Sequence, residues 1–536
     1  MRPVVLVILD GYGIGPDGQG NAVSQAKKPN LDFVEKNFPF VLLQASGVAV
    51  GLPWGEPGNS EVGHTAIGTG QIWHQPLIKI TLAIQDGSFY QNPVLKKAAA
   101  HAKENNSAWH IVGLLGSGTV HSYIDHLYAL IEMAKNENVS RVWLHLFTDG
   151  RDSPPKEGAT AIQNLQEKLN WLGLGRLASV CGRLYGMNRD KDWTRTQKAY
   201  QLITDGLGEP TIDFVASIKK QYSQGVTDEF IEPIVFQENG AKPGLVKDND
   251  VMIFFDFRED SARQLTQSFA MEDFKEFQTK QLKNIFLATM TQYETDSPAE
   301  VIFPPVELKY SLAKIISQYG KKQFRIAETE KYAHITYFFN GGAENPVEGE
   351  TRKLIHSLPP THFDATPEMK AYEVADELIS AIESSKYDFL LANFANADML
   401  GHTGNFEAAI KAIKIIDEVI GKIMKAVLAV DGAMIITSDH GNADQMINIF
   451  TGETYTEHTA NPVPFYLIMN ALKKAKPRSD SSESTTGERN IKIILESQKN
   501  AAGVLQDVAA TVLDLLSIPP PGDMDGQSLL PMLYDQ

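Results

Sequence analysis

Ser60 stands between Asn59 and Glu61 in "GEPGNSEVGHTAIGTG", a glycine-rich stretch that reads either as a loop with a filler serine or as the seat of a nucleophile. Gly58 and Ser60 fit a G-x-S-x-G elbow, but Val62 occupies its last glycine position, which weakens an acyl-transfer serine hydrolase. A serine activated by metal needs carboxylates and imidazoles instead of a histidine relay. The chain supplies them: Asp10 after "VVLVIL", Asp398 and His402 in "ANADMLGHTGN", Asp439 and His440 in "TSDHGNAD", and His458 in "EHTANPVPF". The spacing of Asp398 and His402 lets both side chains meet on one ion. Adjacent residues at a strand end point in different directions, so Asp439 and His440 could serve different ions. Any one of these is more often an ordinary polar loop residue, but the set of seven, Ser60 included, favours a two-metal centre. Oxygen and imidazole donors without a thiolate suit Mn²⁺, with Zn²⁺, Co²⁺ and Mg²⁺ as alternatives. Two such ions would lower the pKa of a coordinated serine hydroxyl and neutralise a phosphoryl group in transfer.

A second set carries different chemistry. His121 lies in "LLGSGTVHSY", Arg151 and Asp152 in "FTDGRDSPP", Arg183 and Arg189 in "CGRLYGMNRDKDW", and Arg258 and Arg263 in "FDFREDSARQ". Arginine forks bind phosphate and carboxylate oxygens two at a time, so their convergence predicts a substrate carrying both anions. Solvated arginines in surface ion pairs are the competing reading for each one taken alone. Lys331, in "RIAETEKYAHITYFFNGG", is a point charge suited to a phosphoryl oxygen.

The elements that must position these residues are short apolar runs between amphipathic segments: "VVLVIL", "WHIVGLL", "RVWLHLF", "VMIFFDF", "KNIFLAT", "YDFLLANF", "GAMIITS" and "PFYLIM". Buried strands alternating with helices predict an α/β architecture with mostly parallel sheets, where ligands bind beyond the C-terminal strand ends. Ile413, Ile416, Ile420, Ile423 and Val427 repeat at helical spacing and predict a helix covering one sheet face. At 536 residues, two domains are expected, one of them inserted in the other if the order allows. Gly13, Gly15 and Gly18 satisfy G-x-G-x-x-G, but Pro16 and Asp17 make a turn there rather than a helix start, against a dinucleotide site. The net charge of −17 and the scattered Lys and Arg argue against nucleic acid. Cys181 alone cannot form an internal disulfide, and no apolar run approaches a membrane span, so a cytoplasmic protein is expected. "KKAKPRSDSSESTTGERN", residues 473–490, reads as a surface loop or disordered insertion without an assigned function.

With these motifs in place, the chain resembles the cofactor-independent (2,3-bisphosphoglycerate-independent) phosphoglycerate mutases of the alkaline phosphatase superfamily. "VILDGYG", "GNSEVGH", "DGRDSPP", "RIAETEKYAH", "DMLGHTGN", "SDHGNAD" and "HTANPVPF" occur in the family's order over nearly the whole length. The resemblance implies an alkaline-phosphatase-like three-layer α/β sandwich built from residues 1–74 and 306–536, with a second α/β domain for phosphotransfer inserted as residues 75–305. It implies one metal on Asp398, His402 and His458, and another on Asp10, Ser60, Asp439 and His440. Ser60 would take the phosphoryl group of 3-phosphoglycerate and return it to the other hydroxyl of bound glycerate. His121, Arg151, Asp152, Arg183, Arg189, Arg258 and Lys331 match the family's substrate residues, with Asp152 as proton carrier. A monomer acting on a small molecule is expected. The chain departs from the family at Ser261, where a second arginine is usual three residues after Arg258; Arg263 stands nearby as a substitute. It also has Ser117 where an aspartate is usual, and His64 is left as either a phosphoryl contact or a brace of the turn.

Overall fold

The structure is a computed structural model that describes residues 3–271, 273–305, 308, 310–359, 363–448, 451–474 and 501–535. Of the Ser-rich stretch, residues 475–490 lie outside the described residues. The chain forms two compact units, Met1–His74 with Glu307–Gln536, and Gln75–Val306.

The first unit is built on an eight-stranded sheet. Its strands run in the order Glu350–Ile355, Gln323–Glu328, Phe389–Phe394, Val4–Leu9, Ala433–Thr437, Val463–Ile468, Phe40–Gln44 and Gly503–Val504. The first five are parallel to one another, and Val463–Ile468 is antiparallel to both of its neighbours. Because side chains alternate along a strand, Val5, Val7 and Leu9 enter one hydrophobic core while Val4, Leu6 and Ile8 enter another on the opposite face. Both faces are covered, which makes the unit three-layered and explains why its central strands read as unbroken apolar runs. Helix Phe406–Ala429 carries the apolar repeat seen in the sequence, with Ile413, Ile416, Ile420, Ile423 and Val427 all buried in the first of those cores.

The second unit repeats the scheme around another eight-stranded sheet, with Val251–Phe254, Trp109–Leu115, Val142–Thr148 and Arg176–Gly182 as adjacent parallel strands at its centre. Trp109 and Ile111 face one core and Val112 and Leu114 the other. Parallel neighbours all end on the same sheet edge, so the loops that follow them are gathered there by topology alone.

Candidate metal centre and anion site

In the first unit, Asp10 directly follows strand Val4–Leu9, Lys331 lies in the short helix Thr329–Ala333 after strand Gln323–Glu328, and Asp398 lies in helix Asn396–Thr403 after strand Phe389–Phe394. Asp439 and His440 follow strand Ala433–Thr437. Ser60 opens helix Ser60–Thr69, whose N-cap Asn59 accepts a hydrogen bond from the Val62 amide at 3.0 Å. The positive end of that helix therefore faces the serine hydroxyl's surroundings and favours negative charge there. Val62, which spoils the hydrolase elbow, is buried in the core and anchors the helix.

These elements meet closely. Gly11 has φ +72°, and a Cβ on it would lie 2.7 Å from the Asp398 Cα, so glycine is needed where the Asp10 turn passes the Asp398 helix. A Cβ on Gly63 would lie 2.6 Å from the Asp439 carbonyl oxygen. This glycine thus brings the Ser60 helix against the Asp439 loop.

Lys331 Nζ sits at the middle of the cluster, 2.7 Å from Asp10 Oδ1 and 2.6 Å from Asp398 Oδ2, and donates to Ser60 Oγ at 2.8 Å. Ser60 Oγ lies 3.2 Å from Asp10 Oδ1 and 2.9 Å from His440 Nε2. His440 Nδ1 faces the Gly441 carbonyl at 3.2 Å rather than a carboxylate, so no Ser-His-Asp relay is formed. Beside this group, His402 Nε2 and His458 Nε2 lie 3.1 Å apart, each 3.3 Å from Asp398 Oδ1.

The hydrogen bonds assign the imidazole tautomers. His402 Nδ1 donates to the Thr456 carbonyl at 2.8 Å and His458 Nδ1 to the Gly58 carbonyl at 2.8 Å. With neutral rings, both Nε2 lone pairs then point at one spot beside Asp398, the usual arrangement of metal-bound histidines. Two acceptors facing each other at that distance repel unless a cation or proton lies between them. Among the described residues, three groups have ligand atoms close enough to share an ion: Asp398 with His402 and His458, Asp10 with Asp398 and His440, and Asp10 with His64 and Asp439. In the last, His64 Nδ1 lies 3.0 Å from Asp439 Oδ2 and pairs with it. Its Nδ1 donates to the Ser60 carbonyl at 2.9 Å and its Nε2 accepts from Asn393 Nδ2 at 3.0 Å, so it braces the turn.

Charge also fits cations. Asp10, Asp398 and Asp439 are buried, with Lys331 as the ammonium among them. Asp439 Oδ2 is buried 3.0 Å from His64 Nδ1, a nitrogen that it shares with the Ser60 carbonyl. Burial and the Asp439 carboxylate raise the pKa of Asp10, whereas Lys331 holds Asp398 well below the usual carboxylate range despite its burial. Burial opposes the charge on Lys331, but Asp10 and Asp398 outweigh it and raise its pKa. Against three buried carboxylates stand the Lys331 ammonium and His64, where burial opposes the charge but Asp439 outweighs it and raises the pKa, and a cluster this rich in buried acids has room for further positive charge.

Asn393 and Asn442 were not singled out from the sequence. Asn393 Nδ2 donates to Asp10 Oδ2 at 2.8 Å and Asn442 Nδ2 to Asp398 Oδ1 at 2.9 Å, orienting both carboxylates. The signal for Asn393 was an amide inside the apolar run "FLLANF".

In the second unit, His121, Arg151, Asp152, Arg183 and Arg258 all lie in or just after the loops at the C-terminal ends of the four central strands. Arg183 is buried and holds three partners: Nη1 donates to Asp149 and, at 2.7 Å, to Asp152 Oδ2, while Nη2 donates to His121 Nε2 at 3.0 Å. Burial, followed by the Arg183 charge, lowers the pKa of His121, and Arg183 keeps Asp149 low despite burial. Arg189 Nη1 and Arg258 Nη2 share Asp260 Oδ2 at 2.7 and 3.0 Å, and Arg151 Nε donates to Glu229 at 2.7 Å. Ser117 Oγ donates to Glu157 Oε2 at 2.9 Å.

Lys331 stands among the carboxylates of the first unit, in reach of Ser60. Arg263 is two residues from Ser261 along helix Glu259–Ala270, a turn of about 200°. Its Nε donates to the Tyr293 carbonyl at 2.8 Å, while Ser261 lines a cavity with Arg151, Arg183 and Arg189.

A mixed oxygen and imidazole cluster at the end of a parallel sheet defines a metalloenzyme, and residues 2–520 match the Metalloenzyme superfamily. The 2,3-bisphosphoglycerate-independent phosphoglycerate mutase of Clostridium botulinum strain Langeland is 46% identical over 530 residues, covering 99% of both chains. That of Clostridioides difficile strain 630 is 43% identical over 530 residues, again covering 99% of both. The crystal structure of Leishmania mexicana phosphoglycerate mutase at low cobalt concentration is 29% identical, covers 98% of this chain and 97% of its own, and superposes with a TM-score of 0.50. The chain belongs to the 2,3-bisphosphoglycerate-independent phosphoglycerate mutases.

Proposed function

We propose that this enzyme, which interconverts 3-phosphoglycerate and 2-phosphoglycerate as its family does, works through a phosphorylated Ser60. The observation that carries this reading is the surroundings of Ser60 Oγ, which has a lysine, an aspartate and an imidazole in reach and no carboxylate-backed base. Asp398, His402 and His458 would hold one divalent ion and Asp10, Ser60, Asp439 and His440 a second, Mn²⁺ suiting the donors best ahead of Zn²⁺, Co²⁺ and Mg²⁺; bound there, they supply Lewis acidity that makes a hydroxyl acidic and neutralises phosphoryl oxygens.

In the proposed sequence, Ser60 first loses its hydroxyl proton to solvent, and its Oγ then attacks phosphorus as the bond from phosphorus to the substrate oxygen breaks. Lys331 Nζ, already donating to Ser60 Oγ, steadies the negative charge around it. In the second unit, Arg183 and the exposed Arg151, Arg189 and Arg258 would hold the carboxylate and hydroxyl-bearing carbons. Asp152, less buried than Asp149 and fixed by Arg183, would give a proton to the departing glycerate oxygen and take one from the oxygen that attacks phosphoserine. The enzyme would act as a cytoplasmic monomer on this small molecule, without nucleic acid; among the described residues no helix is long and apolar enough to cross a membrane.

An enolase-coupled assay with Mn²⁺ and without 2,3-bisphosphoglycerate tests the reading. Turnover is expected, with loss on chelation, and Ser60→Ala should abolish both turnover and trapping of phosphoserine. Phosphate release from a generic ester without isomerisation would leave a phosphatase in its place.

A further inference from the structure

The arginine-lined cavity of the second unit contains a residue that the known reaction has not so far required. Four guanidinium groups line it, those of Arg151, Arg183, Arg189 and Arg195, against the two carboxylates of Asp190 and Glu229. Carboxylates already answer each of these arginines, Glu229 at Arg151, Asp149 and Asp152 at Arg183, Asp260 at Arg189 and Asp192 at Arg195, so what an incoming anion gains depends on how firmly each arginine is held. Ser261 lines the same cavity and adds a small neutral hydroxyl there.

The ties on these arginines differ. Arg183 is buried and fixed by Asp149 and Asp152, so it is a permanent part of the wall. Arg195 stands in the first turn of helix Trp193–Asp205, and among the described residues its Nε pairs with Asp192, three residues earlier, at 2.9 Å. That pair is exposed on both sides, 40% for Arg195 and 36% for Asp192. Exposed pairs of this kind are weak, so little opposes turning the guanidinium from Asp192 toward an incoming anion. A planar fork that exchanges a weak carboxylate for a phosphate or carboxylate of the substrate gains two parallel hydrogen bonds.

We infer that Arg195 is a substrate-binding residue of this enzyme: its guanidinium closes on an anionic group of phosphoglycerate in the space left beside Ser261. The inference rests on the mutase reading above and adds one contact to it. Arg263 Nε is engaged with the Tyr293 carbonyl.

The test uses the full chain with Mn²⁺. Arg195→Ala should raise KM for 3-phosphoglycerate about tenfold or more, the loss of a charge-assisted hydrogen-bond pair, with kcat changed about threefold or less. Arg195→Lys should recover part of the loss, since it keeps the charge and loses the fork. Ser261→Arg in the Arg195→Ala background should bring KM back toward the wild-type value, because it returns a guanidinium to the same cavity. A structural role would lower Tm and kcat together and would not be rescued from position 261. An unchanged KM in Arg195→Ala overturns the inference. If the wild type itself shows no isomerisation, the mutase reading falls first; calorimetric binding of 3-phosphoglycerate then still decides the Arg195 contact, and equal affinity in wild type and Arg195→Ala removes it.

Discussion

Replacing Lys331 by methionine probes the charge balance of the metal centre directly. The side chain keeps its length and loses its ammonium, which lies within 2.8 Å of Asp10, Asp398 and Ser60. Three buried carboxylates then stand without their lysine. Breaking a buried pair by removing one partner costs about 3–5 kcal/mol. A unit of this size loses roughly 2 °C of Tm per kcal/mol, so the metal-free variant should melt about 6–10 °C below the metal-free wild type. Divalent cations on the same carboxylates stabilise both forms, so the gap closes only by the variant's tighter binding once the ammonium no longer competes, about 1.4 kcal/mol for each tenfold in Kd. The deficit of the variant should therefore shrink by about 3 °C for each tenfold gain in Mn²⁺ affinity, while kcat stays about a hundredfold or more below wild type because Ser60 Oγ has lost its donor. The assay is thermal unfolding in chelator and in Mn²⁺, with hydrogen exchange of strands Val4–Leu9 and Phe389–Phe394 reporting on the first unit. Equal destabilisation in both conditions would refute the reasoning, since it would mean that cations do not neutralise this cluster.

Gly63→Ala should cost about a hundredfold in kcat with the fold retained, because its Cβ forces the Ser60 helix away from the Asp439 carbonyl oxygen and a shift near 1 Å at a reacting group has that effect; crystallography of the variant and coupled kinetics check it. Metal affinity should rise with pH through and above about 6.5. Asp398 raises the pKa of His402 by a hydrogen bond and of His458 against the opposing effect of burial, so as pH falls the pair takes up protons that the ion must displace. Titration with Mn²⁺ at several pH values, counting released protons, checks the sign. In the second unit, burial pushes the Asp256 carboxyl up to about 7, above its unfolded value. A raised carboxyl pKa destabilises the fold as pH rises from about 4 to about 7, where the unfolded chain ionises first. Asp256→Asn should remove that part of the pH dependence in unfolding measurements of the full chain.

Strands Val4–Leu9 and Ala433–Thr437 read plainly because they are buried on both faces and almost wholly apolar, and Trp109–Leu115, Val142–Thr148 and Phe389–Phe394 because a buried His110, His145 or Asn393 leaves the apolar run recognisable. Strand Gln323–Glu328 is equally buried but hid itself, because it carries Arg325 into the core, where the Asn340 side chain and the Ile335 carbonyl accept its hydrogen bonds at 2.8 Å. Strand Arg176–Gly182 likewise buries Ser179 against His145 at 2.7 Å. A polar residue in a strand announces a partner without saying which one. The same limit governs the site. Asp398 and His402 are legible together because helical spacing alone can bring them to one ion, and the strand-end residues are legible because topology gathers parallel strand ends on one edge. The direction of Arg263 is not legible in this way, because counting residues along the chain ignores helix phase, which turns its Nε toward the Tyr293 carbonyl. The tautomers of His402 and His458 were beyond sequence for a stronger reason. They are set by the backbone carbonyls of Thr456 and Gly58, and a carbonyl has no side-chain signature. Almost any residue could stand at 456 and still aim the His402 lone pair, so the feature that most clearly marks this cluster as a cation site depends on where the backbone runs.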